Sequence, residues 1–224
     1  MRWTLPNILT VFRLLATPLV PIAFLYFTRP LADWVALVIF SLAAITDYLD
    51  GYLARLWKQQ SRFGAMLDPI ADKAMVIIAL LVISGFSGMN PWLLLPATAI
   101  IFREVFVSGL REFIADKSAQ LKVTQIAKWK TTVQMIAIAV MFSAGIFEHF
   151  LVMQSEGMDQ AMFEAVISGR EQDVLGLRWK YDGMNITWNG GVVLLWVAAA
   201  MTLYTGWDYL MKSMPYLRDK GPEA

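Results

Sequence analysis

Residues 47–72 read DYLDGYLARLWKQQSRFGAMLDPIAD. Four aspartates fall in this stretch, with the spacing D-x2-D-G-x2-A-R-x8-G-x3-D-x3-D. The sequence on either side is predominantly apolar, so the aspartates lie within segments long enough to cross a membrane. Ionisable residues inside such segments are energetically costly and usually functional. The sequence therefore predicts a site that is built around these carboxylates.

The composition indicates an integral membrane protein. Of the 224 residues, 58% are hydrophobic and 17% are charged, and the mean hydropathy is +0.53. A soluble domain of this composition would leave apolar surface uncovered. Because a membrane-spanning helix needs roughly 20 apolar residues, we predict an all-α bundle of six transmembrane helices in a single domain, residues 1–224. The six stretches are 8–28, 33–56, 63–86, 91–114, 125–148 and 187–212.

The distribution of Lys and Arg predicts the orientation of the bundle, because these residues concentrate in short cytoplasmic loops. Six spans put both termini on one side, together with fifteen of the 19 Lys and Arg residues. The other four are Arg29, Arg170, Arg178 and Lys180. Both termini and the four aspartates are therefore expected to face the cytoplasm.

The spacing of the aspartates is suited to a metal site. Asp47 and Asp50 are three residues apart, and Asp68 and Asp72 are four apart, so each pair lies on one helical face. A short polar turn between the pairs would fold the two helices into an antiparallel hairpin. Converging carboxylates repel one another and are costly to desolvate, and hard divalent cations such as Mg2+ or Mn2+ relieve both costs. Two such cations could also clamp a diphosphate during in-line displacement.

Small residues beside the aspartates leave room for a ligand. Gly51 and Ala54 would let a planar base or a phosphate approach the backbone, and Arg55 would meet an anionic group. The alternative for Gly51 and Ala54 is close helix packing, which is common in membranes. The chain has no cysteine, which excludes disulfides, thiolate metal ligands and thiol catalysis.

The spaced pattern from Asp47 to Asp72 resembles, without a departure, the signature of the CDP-alcohol phosphatidyltransferase family. Members have six membrane helices and transfer a phosphatidyl or related group from a CDP-linked donor to an alcohol, with release of CMP. The resemblance implies that Asp47, Asp50, Asp68 and Asp72 hold two divalent cations, and that Asp72 is also the catalytic base. The CDP-binding residues that it implies are Asp50, Gly51, Ala54, Arg55, Gly64, Asn7 and Thr10.

The alcohol acceptor must be chosen by residues outside the signature. Arg103 and Arg111 lie in the fourth apolar stretch, and Lys128, Lys130 and Thr131 open the fifth. Guanidinium groups bind phosphate through two parallel hydrogen bonds, and lysine adds a mobile point charge. The cluster therefore predicts an acceptor that carries a phosphate. The alternative is that these residues only belong to the cytoplasmic excess of positive charge.

Several further motifs, over most of residues 5–145, resemble one branch of the family. These motifs are Pro6-Asn7-x2-Thr10-x2-Arg13, Arg62-Phe63-Gly64-Ala65, the stretch from Leu67 to Lys73, the stretch from Arg103 to Glu112, and Lys128-Trp129-Lys130-Thr131-Thr132. Members of that branch join CDP-diacylglycerol to sn-glycerol 3-phosphate, giving phosphatidylglycerophosphate and CMP. The resemblance implies a multi-pass protein of the bacterial inner membrane, a homodimer, with an active site that faces the cytoplasm. No nucleic acid is expected as a partner.

Two alternatives stay open at this point. The first is a sister transferase whose acceptor gives cardiolipin, phosphatidylserine or an inositol phosphate lipid. The second belongs to another class, a cation or proton transporter, because intramembrane carboxylates also line ion pathways.

Residues 148–186 form a polar, acidic insertion before the last apolar stretch, and we expect it on the non-cytoplasmic side. Apolar residues within it could form a short amphipathic helix that lies on the membrane. These residues are Met158, Ala161, Met162, Ala165 and Val166.

Overall fold

The structure is a computed structural model that describes residues 4–57, 61–114 and 125–217, without the side chains at 48, 50–55, 125, 127 and 128. Within these ranges the chain forms eight α-helices and no β-strand. The helices are α1 (Leu5–Ala16), α2 (Leu19–Tyr26), α3 (Leu31–Leu56), α4 (Arg62–Phe86), α5 (Pro91–Ile114), α6 (Gln125–Ser155), α7 (Gln160–Ile167) and α8 (Leu177–Leu217). The predicted all-α class is confirmed.

Four segments of the described chain are long and apolar enough to cross a membrane. They are Leu5–Tyr26, Pro91–Ile114, Trp129–Ser155 and Leu177–Leu217. Large apolar side chains on the outside of the bundle, such as Leu25 and Leu81, suit lipid better than water. The chain is therefore a multi-pass helical membrane protein. The helices that carry the aspartates, α3 and α4, are 26 and 25 residues long but are not among those four segments, so the count of six spans stays a prediction.

The first predicted span, residues 8–28, is not one continuous helix. α1 ends at Ala16 and α2 begins at Leu19, because Pro18 has no N–H to donate to a preceding carbonyl. The two short helices together still form a segment with the length and composition of one span.

Six helices share one apolar core. Phe40 of α3, Leu80 of α4, Ile100 of α5, Ile138 of α6 and Leu195 of α8 are each at most 1% exposed, and residues of α2 join the same cluster. Many other members of the cluster are alanines, and small residues let membrane helices approach closely. α8 packs against α6 and α5, and α1 packs against α3 and α4. The fold thus places α1 beside the two helices that carry the aspartates.

The last two long helices extend past the bounds that we predicted. α6 continues to Ser155 and α8 starts at Leu177, so much of the predicted insertion, residues 148–186, consists of the continued ends of these helices. α8 has 41 residues, a length of about 60 Å at 1.5 Å per residue, whereas a bilayer core is about 30 Å thick. The predicted short helix exists as α7, and its Val166 packs on Leu151 and Leu177. Its position on the membrane stays a prediction.

Asp173 caps the start of α8. Its carboxylate accepts hydrogen bonds from the backbone N–H groups of Leu177 at 2.6 Å and Arg178 at 3.0 Å, which satisfies donors that have no partner within the helix. These backbone hydrogen bonds hold the pKa of Asp173 below its ordinary value, and the bond from Arg178 has the largest effect. The cap explains why α8 begins well before the apolar stretch at 187–212.

Close packing of α6 on α8 gives a test of the fold. A Cβ atom at Gly183 would lie 2.6 Å from the ring of Phe147, whereas one at Gly190 would meet nothing within 4 Å. We expect Gly183→Ala to lower the free energy of unfolding by about 1 kcal/mol, because the rigid ring must move. Gly190→Ala, on the same helix, should leave it unchanged or slightly raised. Thermal unfolding in detergent measures both, and equal melting temperatures would contradict this packing.

Candidate active site

A row of polar side chains on α1 faces the helices that carry the aspartates. Asn7, Thr10 and Arg13 follow one another at intervals of three and so lie along one side of the helix. They are 3%, 1% and 1% exposed. Buried polar groups need hydrogen-bond partners, and α3 and α4 provide them.

Arg13 joins three helices through its guanidinium group. Its Nη1 atom donates to Oδ1 of Asp47 on α3 and to Oδ1 of Asp72 on α4, at 2.5 Å in both cases. The Arg13 side chain is fully buried, while those of Asp47 and Asp72 are 36% and 37% exposed. The two carboxylates therefore lie close together, and the positive charge of the arginine offsets their mutual repulsion.

The other two polar residues of α1 bind the N-terminal half of α4. Thr10 Oγ1 donates to Oδ1 of Asp68 at 2.7 Å. Ser61, which caps α4, donates its hydroxyl to Asn7 Oδ1 at 2.8 Å and accepts the N–H of Gly64 at 2.9 Å. A Cβ atom at residue 64 would lie 2.6 Å from Asn7 Oδ1, so this close approach requires glycine. Three of the predicted CDP-binding residues thus meet at one end of α4.

The described carboxylates fit a divalent cation in their chemistry. α1 gathers Asp47, Asp68 and Asp72 around itself, and carboxylate oxygens are the ligands that Mg2+ and Mn2+ prefer. Among the side chains that the structure describes, no group of three carboxylates or histidines is placed where it could hold a metal ion. The fourth predicted ligand, Asp50, lies in α3, but its side chain is outside the described part.

A polar cavity of about 320 Å3 lies between α4, α5 and α6. Two aspartates of the signature, Asp68 and Asp72, line it. The predicted acceptor cluster lines the same cavity at every position whose side chain is described, namely Arg103, Arg111, Lys130 and Thr131. The structure therefore brings these two predicted groups of residues to one space.

Glu104 organises the basic side chains of the polar cavity. It accepts a hydrogen bond from Arg103 Nη1 at 3.1 Å and another from Lys130 Nζ. On the facing helix, Lys73 Nζ donates to Ser108 Oγ at 2.5 Å. A single carboxylate thus holds two cations of the cluster in place, because buried charges need partners.

α8 touches the two arginines of the cluster. Arg103 Nη2 donates to Thr205 Oγ1 at 3.2 Å, and the Arg111 guanidinium carbon lies 5.4 Å from the centre of the Tyr209 ring. The remaining predicted residues are not tested by these contacts: Gly51, Ala54 and Arg55 lie in α3 and Lys128 lies in α6, with side chains outside the described part.

Comparison with known proteins agrees with this arrangement. Residues 3–170 match the family model described as CDP-alcohol phosphatidyltransferase. The chain belongs to the CDP-alcohol phosphatidyltransferase family. The match contains the four aspartates, the row on α1 and the basic cluster, and it ends before α8.

Several curated relatives carry one name, CDP-diacylglycerol–glycerol-3-phosphate 3-phosphatidyltransferase. A protein of Cereibacter sphaeroides is 57% identical over 225 residues, covering 98% of this chain and 100% of the relative. A protein of Haemophilus influenzae is 34% identical over 98% of both chains. The Escherichia coli protein is 42% identical over 141 residues, covering 62% of this chain and 76% of the relative.

Sequence reasoning assigned no role to Arg13, Thr205 or Tyr209. The position of Arg13 inside the first apolar stretch was a usable signal, because a charged residue there needs a partner of opposite charge. For Thr205 and Tyr209 the sequence carries no comparable signal, since their role comes only from the packing of α8 on α5.

The buried bridge at Arg13 gives a second test. Arg13→Gln leaves Asp47 and Asp72 close together without their shared cation, and we expect a loss of about 3 kcal/mol in the free energy of unfolding. Adding Asp47→Asn should recover part of that loss, because it removes one of the two charges. Arg170→Gln, at an exposed position after α7, is the control. If Arg13→Gln and Arg170→Gln melt at the same temperature in detergent, the bridge does not stabilise the fold.

Proposed function

We propose that this enzyme transfers the phosphatidyl group of CDP-diacylglycerol to sn-glycerol 3-phosphate, giving phosphatidylglycerophosphate and CMP. The observation that carries the proposal is the polar cavity, where Asp68 and Asp72 of the signature face a basic cluster. The names of the relatives that cover 98% of this chain support the same reaction.

The acceptor phosphate is proposed to bind to the basic cluster. Arg103, Arg111 and Lys130 carry positive charge on the cavity wall, and Thr131 adds a hydroxyl donor. Lys128, which precedes them on α6, is proposed as a fifth member. Charge-assisted hydrogen bonds of this kind are stronger than neutral ones, so they would select an alcohol that carries a phosphate over one that does not, such as serine.

Asp72 is proposed as the base. It lines the polar cavity and its side chain is 37% exposed, so an acceptor hydroxyl can reach it. The acceptor oxygen forms a bond to the phosphorus that carries diacylglycerol, the bond from that phosphorus to CMP breaks, and Asp72 takes the hydroxyl proton. The bond to Arg13 fixes the Asp72 carboxylate during this step.

The donor side is proposed to contain two divalent cations, Mg2+ or Mn2+, on Asp47, Asp50, Asp68 and Asp72. Dependence on a divalent metal is general in this family. When bound, such ions would neutralise the charge of the diphosphate and the negative charge that develops on the leaving oxygen. The CDP group is proposed to bind beside them, at Asp50, Gly51, Ala54, Arg55 and Gly64. Asn7 and Thr10 are buried and bond to Ser61 and Asp68, respectively, which supports an indirect contribution to CDP binding through the shape of the site.

The membrane arrangement is a proposal in its finer points. Counting α1 and α2 as one span, with α3, α4, α5, α6 and α8, gives six spans, which would place both termini in the cytoplasm of a bacterial inner membrane. The excess of Lys and Arg on that side supports the orientation. A homodimer is proposed from the family resemblance. The polar cavity would then open toward the cytoplasm, where a water-soluble acceptor is available.

The reaction is tested by CMP release from purified protein in detergent with CDP-diacylglycerol and Mg2+ or Mn2+. We expect release with sn-glycerol 3-phosphate and little with serine, inositol 1-phosphate or phosphatidylglycerol. Asp72→Asn should lower turnover by at least 100-fold, since a positioned base contributes about 10²–10⁴. If the enzyme prefers another acceptor, sn-glycerol 3-phosphate is excluded as its acceptor, while its membership of the family is unaffected. Full activity in Asp72→Asn would remove Asp72 as the base.

Arg111 gives a prediction for the acceptor side. Arg111→Ala should raise KM for glycerol 3-phosphate at least about tenfold, because a hydrogen bond to a charged group contributes about 1.5–3 kcal/mol and about 1.4 kcal/mol corresponds to a factor of ten. KM for CDP-diacylglycerol should stay nearly constant. Lys212→Ala removes the same charge from α8, where Lys212 pairs with Asp208 and does not line the polar cavity, and it should change neither constant. An equal rise of both constants in Arg111→Ala would place Arg111 outside the acceptor site.

A further inference from the structure

One face of α8 is built from small and polar residues at helical spacing. Thr202, Thr205, Gly206, Tyr209 and Ser213 follow one another at intervals of three, one, three and four, so they form a stripe along the helix. Thr202 and Ser213 are fully buried, and Thr205 is 4% exposed. This stripe lies beyond residue 170, where the match to the family model ends.

Arg103 of α5 contacts the middle of the stripe. Thr205 accepts a hydrogen bond from Nη2 at 3.2 Å. Gly206 leaves room for the aliphatic part of the same side chain, because a Cβ atom at this position would lie 2.8 Å from Arg103 Cγ. Glu104 binds the other terminal nitrogen, Nη1. Between them, α5 and α8 fix both ends of the guanidinium fork of a side chain that is only 8% exposed.

Tyr209 makes the corresponding contact with Arg111. The guanidinium group of Arg111 lies over the Tyr209 ring at 5.4 Å, within the range of a cation–π interaction. The Tyr209 hydroxyl is buried and has no hydrogen-bond partner in the described part of the chain. The face of the ring, and not the hydroxyl, therefore makes this contact.

The contact is not one that packing alone requires. Arg111 is exposed and could remain solvated without a partner, as exposed arginines generally do. Because the ring face makes the contact, a phenylalanine would provide it equally and a leucine would not. The position of the ring restricts Arg111, which is a long side chain with much rotamer freedom to lose.

We propose that Thr205 and Tyr209 are positioning residues, which hold Arg103 and Arg111 in the orientation that binds the phosphate of the acceptor. This inference rests on the proposed acceptor role of the two arginines. Side chains that are ordered before binding lose less entropy when the ligand arrives. α8 therefore contributes to selection of a phosphorylated acceptor although Thr205 and Tyr209 do not line the polar cavity.

Paired substitutions at each position test the inference by steady-state kinetics. Tyr209→Leu should raise KM for glycerol 3-phosphate about two- to fivefold, the ratio that a cation–π contact of this kind supports, with KM for CDP-diacylglycerol unchanged. Tyr209→Phe keeps the ring and should behave as the parent. Thr205→Val should likewise raise KM for the acceptor only, and Thr205→Ser, which keeps the hydroxyl, should restore it.

Two outcomes would overturn the inference. One is an equal change of both Michaelis constants in Tyr209→Leu and in Thr205→Val, which would indicate a general structural effect. The other is a further rise in KM for the acceptor when Tyr209→Leu is added to Arg111→Ala, because a residue that acts through Arg111 has no effect once Arg111 is absent.

The single variant Arg111→Ala separates this inference from the proposed function. If Arg111→Ala leaves KM for glycerol 3-phosphate unchanged, the proposed acceptor site fails, and the role of Tyr209 fails with it. If Arg111→Ala raises that constant and Tyr209→Leu does not, the acceptor site stands and only the positioning role of Tyr209 is wrong.

Discussion

The guanidinium group of Arg13, held between Asp47 and Asp72, is the interaction on which the rest of the site depends. Aspartates that lie close together within apolar segments repel one another, and their charges are costly to place there. The fold brings a buried cation to them on a third helix, α1, so that neither α3 nor α4 has to provide it. The same helix bonds Asp68 through Thr10. The packing of α1 on α3 and α4 is therefore inseparable from the charge balance of the aspartates.

The opposite wall of the polar cavity uses the same principle with the signs exchanged. There the excess charge is positive, and the carboxylate of Glu104 binds Arg103 and Lys130. Each wall thus keeps a net charge that suits a different ligand group, the aspartates a cation and the basic cluster a phosphate. Both walls border one cavity of about 320 Å3, so the acceptor phosphate that is proposed to bind at the basic wall would lie in the same cavity as Asp72.

Much of the site could be predicted from the sequence, because its residues occur at short, regular spacing. The aspartates, Gly64 and the basic cluster were predicted in this way, and the structure places Asp68 and Asp72 in one cavity with Arg103, Arg111, Lys130 and Thr131. Contacts between distant helices could not be predicted, since spacing along one helix does not reveal which helix it faces. The break at Pro18 and the early start of α8 were missed because hydropathy windows respond to composition and not to caps or missing N–H groups.

These constraints also indicate where acceptor selection can reside in this fold. The aspartate wall is tied to Arg13, so a substitution that alters charge there disturbs the packing of α1, α3 and α4 as well as the chemistry. The basic wall is held differently, because its two arginines, Arg103 and Arg111 of α5, contact Thr205 and Tyr209 of α8. A change in one of those neighbours can re-aim an arginine without altering the charge of either wall. With the proposed acceptor role of Arg103 and Arg111, selection of the acceptor would therefore be more easily adjusted from α8 than from the aspartates of the signature.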